Sequence, residues 1–197
     1  VNFLAHLYLS DNNEQLMVGN FIADHLRGKH WKSFPDTILK GIALHRFIDA
    51  FTDSHAEVEK TKALLRPFFH KYTPVVADIY YDHFLAAKWT TYSQTPLDVY
   101  SMSVYELLHR NQNYLPARTI EMLVYMERDN WLLHYESLTG IDRALRGMGK
   151  RARFENNMHE AAAFLEIHYA TFQHHFDIFF PLLKMASEQF LKQTAPF

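Results

Sequence analysis

Apolar positions along this chain recur at the three- and four-residue steps of helices, and no stretch alternates as a half-buried strand would. Start and stop signals divide the pattern into helices near 13–27, 37–52, 55–70, 74–89, 96–112, 116–138, 141–147 and 157–192. Ser54 and Glu57 have the spacing of a capping box, and Asn157 with Glu160 offers a related polar cap and acidic third residue. Thr73-Pro74 and Thr95-Pro96 each set a cap candidate before a proline at the first helical position, while Pro35 and Pro116 open two further helices. Gly140 is placed to end the helix that carries Trp131 and Leu133, residues 147–150 read as a linker, and Pro181 should kink or break the last helix. The pattern predicts a compact all-α, multi-helix bundle forming a single domain over residues 1–197.

Polar residues interrupt this pattern where the core should be. The helix near 37–52 is apolar almost all round and is expected to be buried. Its one continuous stripe reads Ile38, Ile42, His45, Asp49, with Asp53 a further turn along. A carboxylate buried alone is costly, so it must meet a cation, a strong donor or water. The helix near 74–89 repeats the anomaly: Asp82 lies among Val75, Ile79, Ala86 and Trp89, Asp78 flanks it, and His83 turns to the other edge. Asn20 and Asp24 stand at i, i+4 within an apolar run, and His6 sits in another. Carboxylates and imidazoles from several helices of a bundle can converge on one ion. The faces therefore predict a divalent metal site with Asp24, His45, Asp49 and Asp82 as ligands. Oxygen-rich, thiolate-free ligation leans toward Mn²⁺ or Mg²⁺, with Fe²⁺ and Zn²⁺ also compatible. The competing reading is a structural network of satisfied core hydrogen bonds.

Composition narrows the classes. Apolar residues at 48% against 21% charged exclude a disordered chain, and the absence of cysteine removes disulfide scaffolds, thiolate metal sites and cysteine nucleophiles together. Only 6 glycines in 197 residues disfavour P-loop and dinucleotide-binding folds. A formal net charge of −2 leaves no global basic field for nucleic acid or a membrane surface. The apolar start of the chain lacks a basic leader and cleavage pattern, and no run approaches ~18 apolar residues, so the expectation is a cytoplasmic protein without a membrane span. Histidine is the outlier at 13 copies, which raises a haem-binding bundle as a distant alternative.

Four segments together carry a resemblance: Asn2-Phe3-Leu4-Ala5-His6-Leu7, Gly19-Asn20-Phe21-Ile22-Ala23-Asp24, the run from His45 to His55, and Tyr81-Asp82-His83-Phe84-Leu85-Ala86. With these the chain resembles the acyl carrier protein phosphodiesterase family, whose members remove 4′-phosphopantetheine from holo acyl carrier protein. Beyond about residue 100 the likeness is one of length and helical character. The resemblance implies a fold distantly similar to HD-type metal phosphohydrolases and dependence on a divalent metal, Mn²⁺ before others. The chain departs from the HD pattern in having no His-Asp dipeptide; its adjacent pairs are reversed, Asp24-His25 and Asp82-His83. Ligand assignment accordingly rests on the helix faces.

On that resemblance the reaction is hydrolysis of the phosphodiester between a carrier-protein serine and pantetheine, with a metal lowering the pKa of water and neutralising phosphate oxygens. His6 and His83 are candidates for a further ligand or for the acid that protonates the departing serine oxygen. Arg46 is a candidate for a forked contact to phosphate, or for an ion pair with a neighbouring carboxylate. Meeting an acidic carrier protein requires a local basic patch on a chain of this net charge. Arg143, Arg146, Lys150, Arg151 and Arg153 supply one group, and Arg27, Lys29 and Lys32, directly after Asp24, supply another that is expected to form the lip of the site. Both groups also read as ordinary solvated surface. The rival functions are a metal-dependent phosphohydrolase of a nucleotide or other small phosphoester, and a non-catalytic helical module that binds an acidic partner.

Overall fold

The computed structural model describes residues 1–28 and 30–193, and these form helices with no strand among them. In chain order they are α1 (Phe3–Tyr8), α2 (Glu14–Ile22), α3 (Asp36–Ser54), α4 (Ala56–Phe69), α5 (Thr73–Ala87), α6 (Trp89–Tyr92), α7 (Leu97–Arg110), α8 (Ala117–Arg128), α9 (Trp131–His134), α10 (Leu138–Arg151), α11 (Ala161–Ile167) and α12 (Tyr169–Gln193). None of these is long and apolar enough to cross a membrane.

The centre of the molecule is α5, whose residues from Val76 to Ala86 are nearly all buried. Its aromatic side meets α12: Tyr80 packs edge-on against Phe172 at 5.2 Å, Tyr81 meets Phe179 at 5.3 Å and Phe84 meets Phe176 at 5.7 Å. Each such ring removes on the order of 150–250 Å² from water, so this layer dominates core burial. On its other side α5 receives α1 and, behind it, the α2–α3 pair.

α2 and α3 approach each other backbone to backbone. A Cβ placed on Gly19 would stand 2.1 Å from the carbonyl oxygen of Ile38, and one on Gly41 would stand 2.4 Å from that of Leu16. Only glycine permits this crossing. Caps follow local chemistry: Asn13 accepts from the Leu16 amide to start α2, and Ser137 accepts from the Gly140 amide to start α10.

Several expectations change. Helix α1 was not indicated by the pattern. The helix expected over 116–138 divides at Asn130, which takes a left-handed φ of 37° and separates α8 from α9. Gly140 does not end a helix; it lies in the first turn of α10, where a Cβ would collide with the His134 carbonyl at 1.9 Å. Residues 147–150 are helical within α10 rather than a linker, with Gly149 leaving room for Asn156. The last helical stretch breaks at His168, and α12 runs through Pro181. At the start of α4 the cap is His55, whose Nδ1 accepts from the Glu57 amide, while Ser54 Oγ donates back to Phe51.

Candidate functional site

The glycine crossing sets Asn20 of α2 directly against His45 of α3. Asn20 Nδ2 donates to the His6 carbonyl at 2.7 Å and to Ser10 Oγ at 3.0 Å, which leaves its Oδ1 as an acceptor. His6 Nδ1–H donates to that oxygen at 2.8 Å. His45 Nδ1–H donates to the Asn20 main-chain carbonyl at 2.8 Å, with Oδ1 a second acceptor at 3.1 Å. One buried asparagine therefore fixes both rings, which stack with centroids 4.2 Å apart. Because each Nδ1 carries a proton, each neutral ring presents a lone pair on Nε2.

Both lone pairs face carboxylates. His45 Nε2 is 3.2 Å from Asp24 Oδ1 and 3.2 Å from Asp49 Oδ2, and His6 Nε2 is 3.4 Å from Asp49 Oδ1. The imidazoles form the floor at 7% and 8% side-chain exposure; Asp49 and Asp24 form the open side at 46% and 78%. These groups line a cleft of about 290 Å³ that Asn20, His25, Thr52, Asp53 and Asp78 also border. His45 Nε2 and Thr52 Oγ1, both buried at this cleft, make no aligned hydrogen bond. A lone pair aimed at two carboxylates needs a cation between them, either a proton or a metal ion. Adjacent ligand atoms around an ion with bonds of about 2.1 Å stand roughly 3.0–3.4 Å apart, the spacing seen here. The donor set thus fits a divalent ion, with His6, His45 and Asp49 as one group whose ligand atoms lie within 4.8 Å of one another and Asp24 beside it.

Without such an ion a proton takes its place. Burial disfavours charge on His45, but Asp24 and Asp49 outweigh it and raise its pKa to about 9. His45 in turn holds Asp24 below the usual carboxylate range. Burial pushes Asp49 upward, yet the two imidazoles hold it far below that range. His6 is lowered by burial, against the pull of Asp49.

The structure does not bring every expected residue here. Asp82 is a correction: it is fully buried, and its oxygens accept from the amides of Asn2 at 2.9 Å, Leu4 at 2.7 Å and Ala5 at 3.3 Å. It caps α1 and does not line the cleft; burial pushes its pKa up to about 7 despite those donors. His83 is a second correction, with Nδ1 on the Tyr135 carbonyl at 2.8 Å and Nε2 on the Tyr169 hydroxyl at 3.0 Å, away from the cleft. Arg46 does not line the cleft: its guanidinium lies 5.2 Å over the Trp31 ring, and it makes no ion pair among the described residues. Arg27 Nη1 donates to the carbonyls of Asp24 and Leu26, bracing the turn that presents Asp24, and Lys32 lies beside Trp31. Lys29 lies outside the described residues. In the second basic group, Arg146 pairs with Asp142 at 2.7 Å, Arg153 leans over Phe154, and Arg143 and Arg151 line a separate cavity with Trp131. That cavity shares no lining residue with the cleft. Lys150 sits on exposed α10 surface.

Two residues that line the cleft had no role in the sequence reading. Asn20 stood out only as a polar residue in an apolar run, the signal of a buried anchor. His25 gave no helical-face signal, because it sits in the short 3₁₀ turn Ala23–His25 after α2, where the helical period lapses.

A family model described as acyl carrier protein phosphodiesterase matches residues 1–183. A protein named acyl carrier protein phosphodiesterase from Klebsiella pneumoniae (strain 342) is 31% identical over 189 residues, covering 95% of this chain and 98% of that protein. The same name belongs to a protein of Escherichia coli O157:H7 (strain EC4115 / EHEC), 32% identical over 193 residues, 97% of this chain and 100% of its own length. An Enterobacter sp. (strain 638) protein of that name is 29% identical over 189 residues, 95% of this chain and 98% of its own. No solved structure matches the chain.

Proposed function

The chain belongs to the acyl carrier protein phosphodiesterase family, and from that premise we propose that the cleft between α1, α2 and α3 is where it hydrolyses holo acyl carrier protein. The bond cut is the phosphodiester between a carrier-protein serine and 4′-phosphopantetheine. The observation that carries this reading is the pair of anchored imidazoles whose Nε2 atoms face two carboxylates at an open cleft. His6, Asp24, His45 and Asp49 would hold a divalent ion, Mn²⁺ in the first instance. Such an ion, when bound, lowers the pKa of water and neutralises phosphate oxygens.

The chain's own groups supply positioning and proton traffic. Asn20 holds both rings before substrate arrives, so no reorientation is needed on binding. Asp24 and Asp49 lie on the solvent side, where an anionic phosphodiester approaches, so their charge must be offset for it to bind. His6 cannot serve as the acid while both its nitrogens are engaged, and His83 is elsewhere. His25 borders the cleft with Nδ1 2.8 Å from Thr119 Oγ1, and is the group placed to return a proton to the serine oxygen. Arg27, exposed just after the turn that carries Asp24 and His25, and Lys32, exposed beside Trp31, suit an acidic carrier protein better than the 143–153 group, of which Arg143 and Arg151 line a different cavity.

The test is mass spectrometry of holo acyl carrier protein incubated with the protein and Mn²⁺, with a chelated control. Loss of one phosphopantetheine mass, abolished by chelator, is the expected result, and Asp49→Asn should lose both turnover and retained metal. An unchanged mass across several divalent metals would overturn the substrate assignment.

A further inference from the structure

We propose that the groove next to the cleft, walled by Leu26, Trp31, Tyr114 and Leu115, receives the pantetheine arm of the substrate; this rests on the phosphodiesterase reading above. The groove has a volume of about 460 Å³ and shares one residue, His25, with the cleft. His25, whose ring Thr119 pins in place, thus stands at the border of both spaces. Among the described residues no carboxylate lines the groove, whereas Asp24, Asp49, Asp53 and Asp78 border the cleft. Its walls are held rather than loose. Trp31 Nε1 donates to the Gly28 carbonyl at 3.0 Å, the Arg46 guanidinium covers its ring, and Tyr114 meets Phe34 edge-on at 5.5 Å.

The chemistry of the substrate selects the occupant. With phosphorus at the imidazole–carboxylate cluster, one ester oxygen leads to a folded, convex, acidic protein. The other leads to a slender uncharged chain bearing two methyl groups, a hydroxyl and two amides. A concave, largely apolar space of this size suits the slender chain, since ligand pockets run from about 300 to 1,000 Å³ and are lined mainly by apolar and aromatic groups. Arg27 and Arg118 stand at the groove's edge, both exposed and neither paired with a carboxylate among the described residues. They are placed to face the acidic protein while the arm lies between the aromatic walls. The cavity beside Trp131 and Arg143 has aromatic and basic groups too, but it is about 180 Å³ and does not open into the cleft.

The experiment uses the whole protein with Mn²⁺ and free pantetheine, which lacks phosphate, as the probe. Pantetheine should inhibit hydrolysis of holo carrier protein competitively. Trp31→Ala should weaken that inhibition and raise KM for holo carrier protein in parallel, each by at least about tenfold, with affinity for apo carrier protein unchanged. Trp31→Phe, which keeps an aromatic wall, should restore most of both and guards against misfolding of the alanine variant. Intact pantetheine inhibition with weakened apo carrier binding would overturn the proposal, because the groove would then receive the carrier protein's surface. Unchanged inhibition and KM in Trp31→Ala, while wild type still strips the arm, would sink the groove assignment alone. Failure of wild type to strip the arm at all would remove the phosphodiesterase reading and this proposal with it.

Discussion

Replacing Asn20 with leucine tests whether one side chain orients the candidate metal ligands. The substitution keeps the branching and the number of heavy atoms but removes an acceptor and two donors. Ser10 Oγ still donates to the His6 carbonyl at 2.9 Å, and His45 Nδ1 keeps the main-chain carbonyl at residue 20. His6 Nδ1 alone is left with no partner. An orphaned buried donor costs about 1–3 kcal/mol, and the lost bonds to Ser10 and to the His6 carbonyl add about 1 kcal/mol between them. The expected destabilisation is thus about 2–4 kcal/mol. For a chain of this size that lowers Tm by roughly 5–15 °C in chelator, followed by circular dichroism. Because His6 is released while His45 stays anchored, Mn²⁺ affinity measured by calorimetry should fall about 10- to 100-fold rather than vanish. A lowered Tm with unchanged Mn²⁺ affinity would refute the orienting role and remove His6 from the ligand group. An unchanged Tm would refute the hydrogen-bond reasoning itself.

Other perturbations separate structure from chemistry. Asp82→Ala strands three amides at the start of α1 and should cost about 2–5 kcal/mol of stability. The protein that remains folded should keep its metal stoichiometry, whereas a ligand role would show as metal loss without destabilisation. Folded His45 titrates at about 9 against 6.5 unfolded, so its contribution is complete below pH 6.5 and is lost as pH rises through 9. Chelated protein should therefore melt at lower temperature across that window, while Mn²⁺ affinity rises as the competing proton leaves; affinity flat between pH 7 and 9 would contradict this. Gly41→Ala drives a Cβ into the Leu16 carbonyl and should destabilise by about 1–3 kcal/mol or more, with a parallel loss of Mn²⁺ affinity seen by calorimetry. His25→Gln should lower kcat on holo carrier protein at least tenfold, about 1.4 kcal/mol of barrier, while retained metal is unchanged; coincident metal loss would place His25 among the ligands instead.

How far the sequence was legible depended on the range of the interaction. The i, i+4 pair His45 and Asp49 and the polar Asn20 in an apolar helix were visible because a helical face is local information. Asp82 looked the same on its own helix, yet its partners are the amides of residues 2, 4 and 5, about 80 positions away, and no periodicity reports where a distant helix end will dock. His6 was recognised as out of place but not as the partner of Asp49, for the same reason. Helix ends were misjudged where glycine served packing rather than termination. Gly140 sits inside α10 because the His134 carbonyl leaves no room for a Cβ, and Gly149 because the Asn156 amide packs close over it. The break at Asn130 came from a left-handed residue that the apolar pattern ran straight across.

The reach of Asp82 has a consequence for the order in which the molecule is assembled. Asp24, His45 and Asp49 arise within the first 54 residues, on α3 and the turn leading out of α2, and can come together as soon as those helices pair. The remaining imidazole rides on α1, a 6-residue helix too short to persist in water by itself. Its free amide end is closed by a carboxylate 77 to 80 positions later. During synthesis from the N-terminus, all four proposed ligands therefore precede the residue that fixes the helix carrying His6. On the proposed ligand set, a nascent or truncated chain ending before residue 82 should therefore hold Mn²⁺ far more weakly than the finished one.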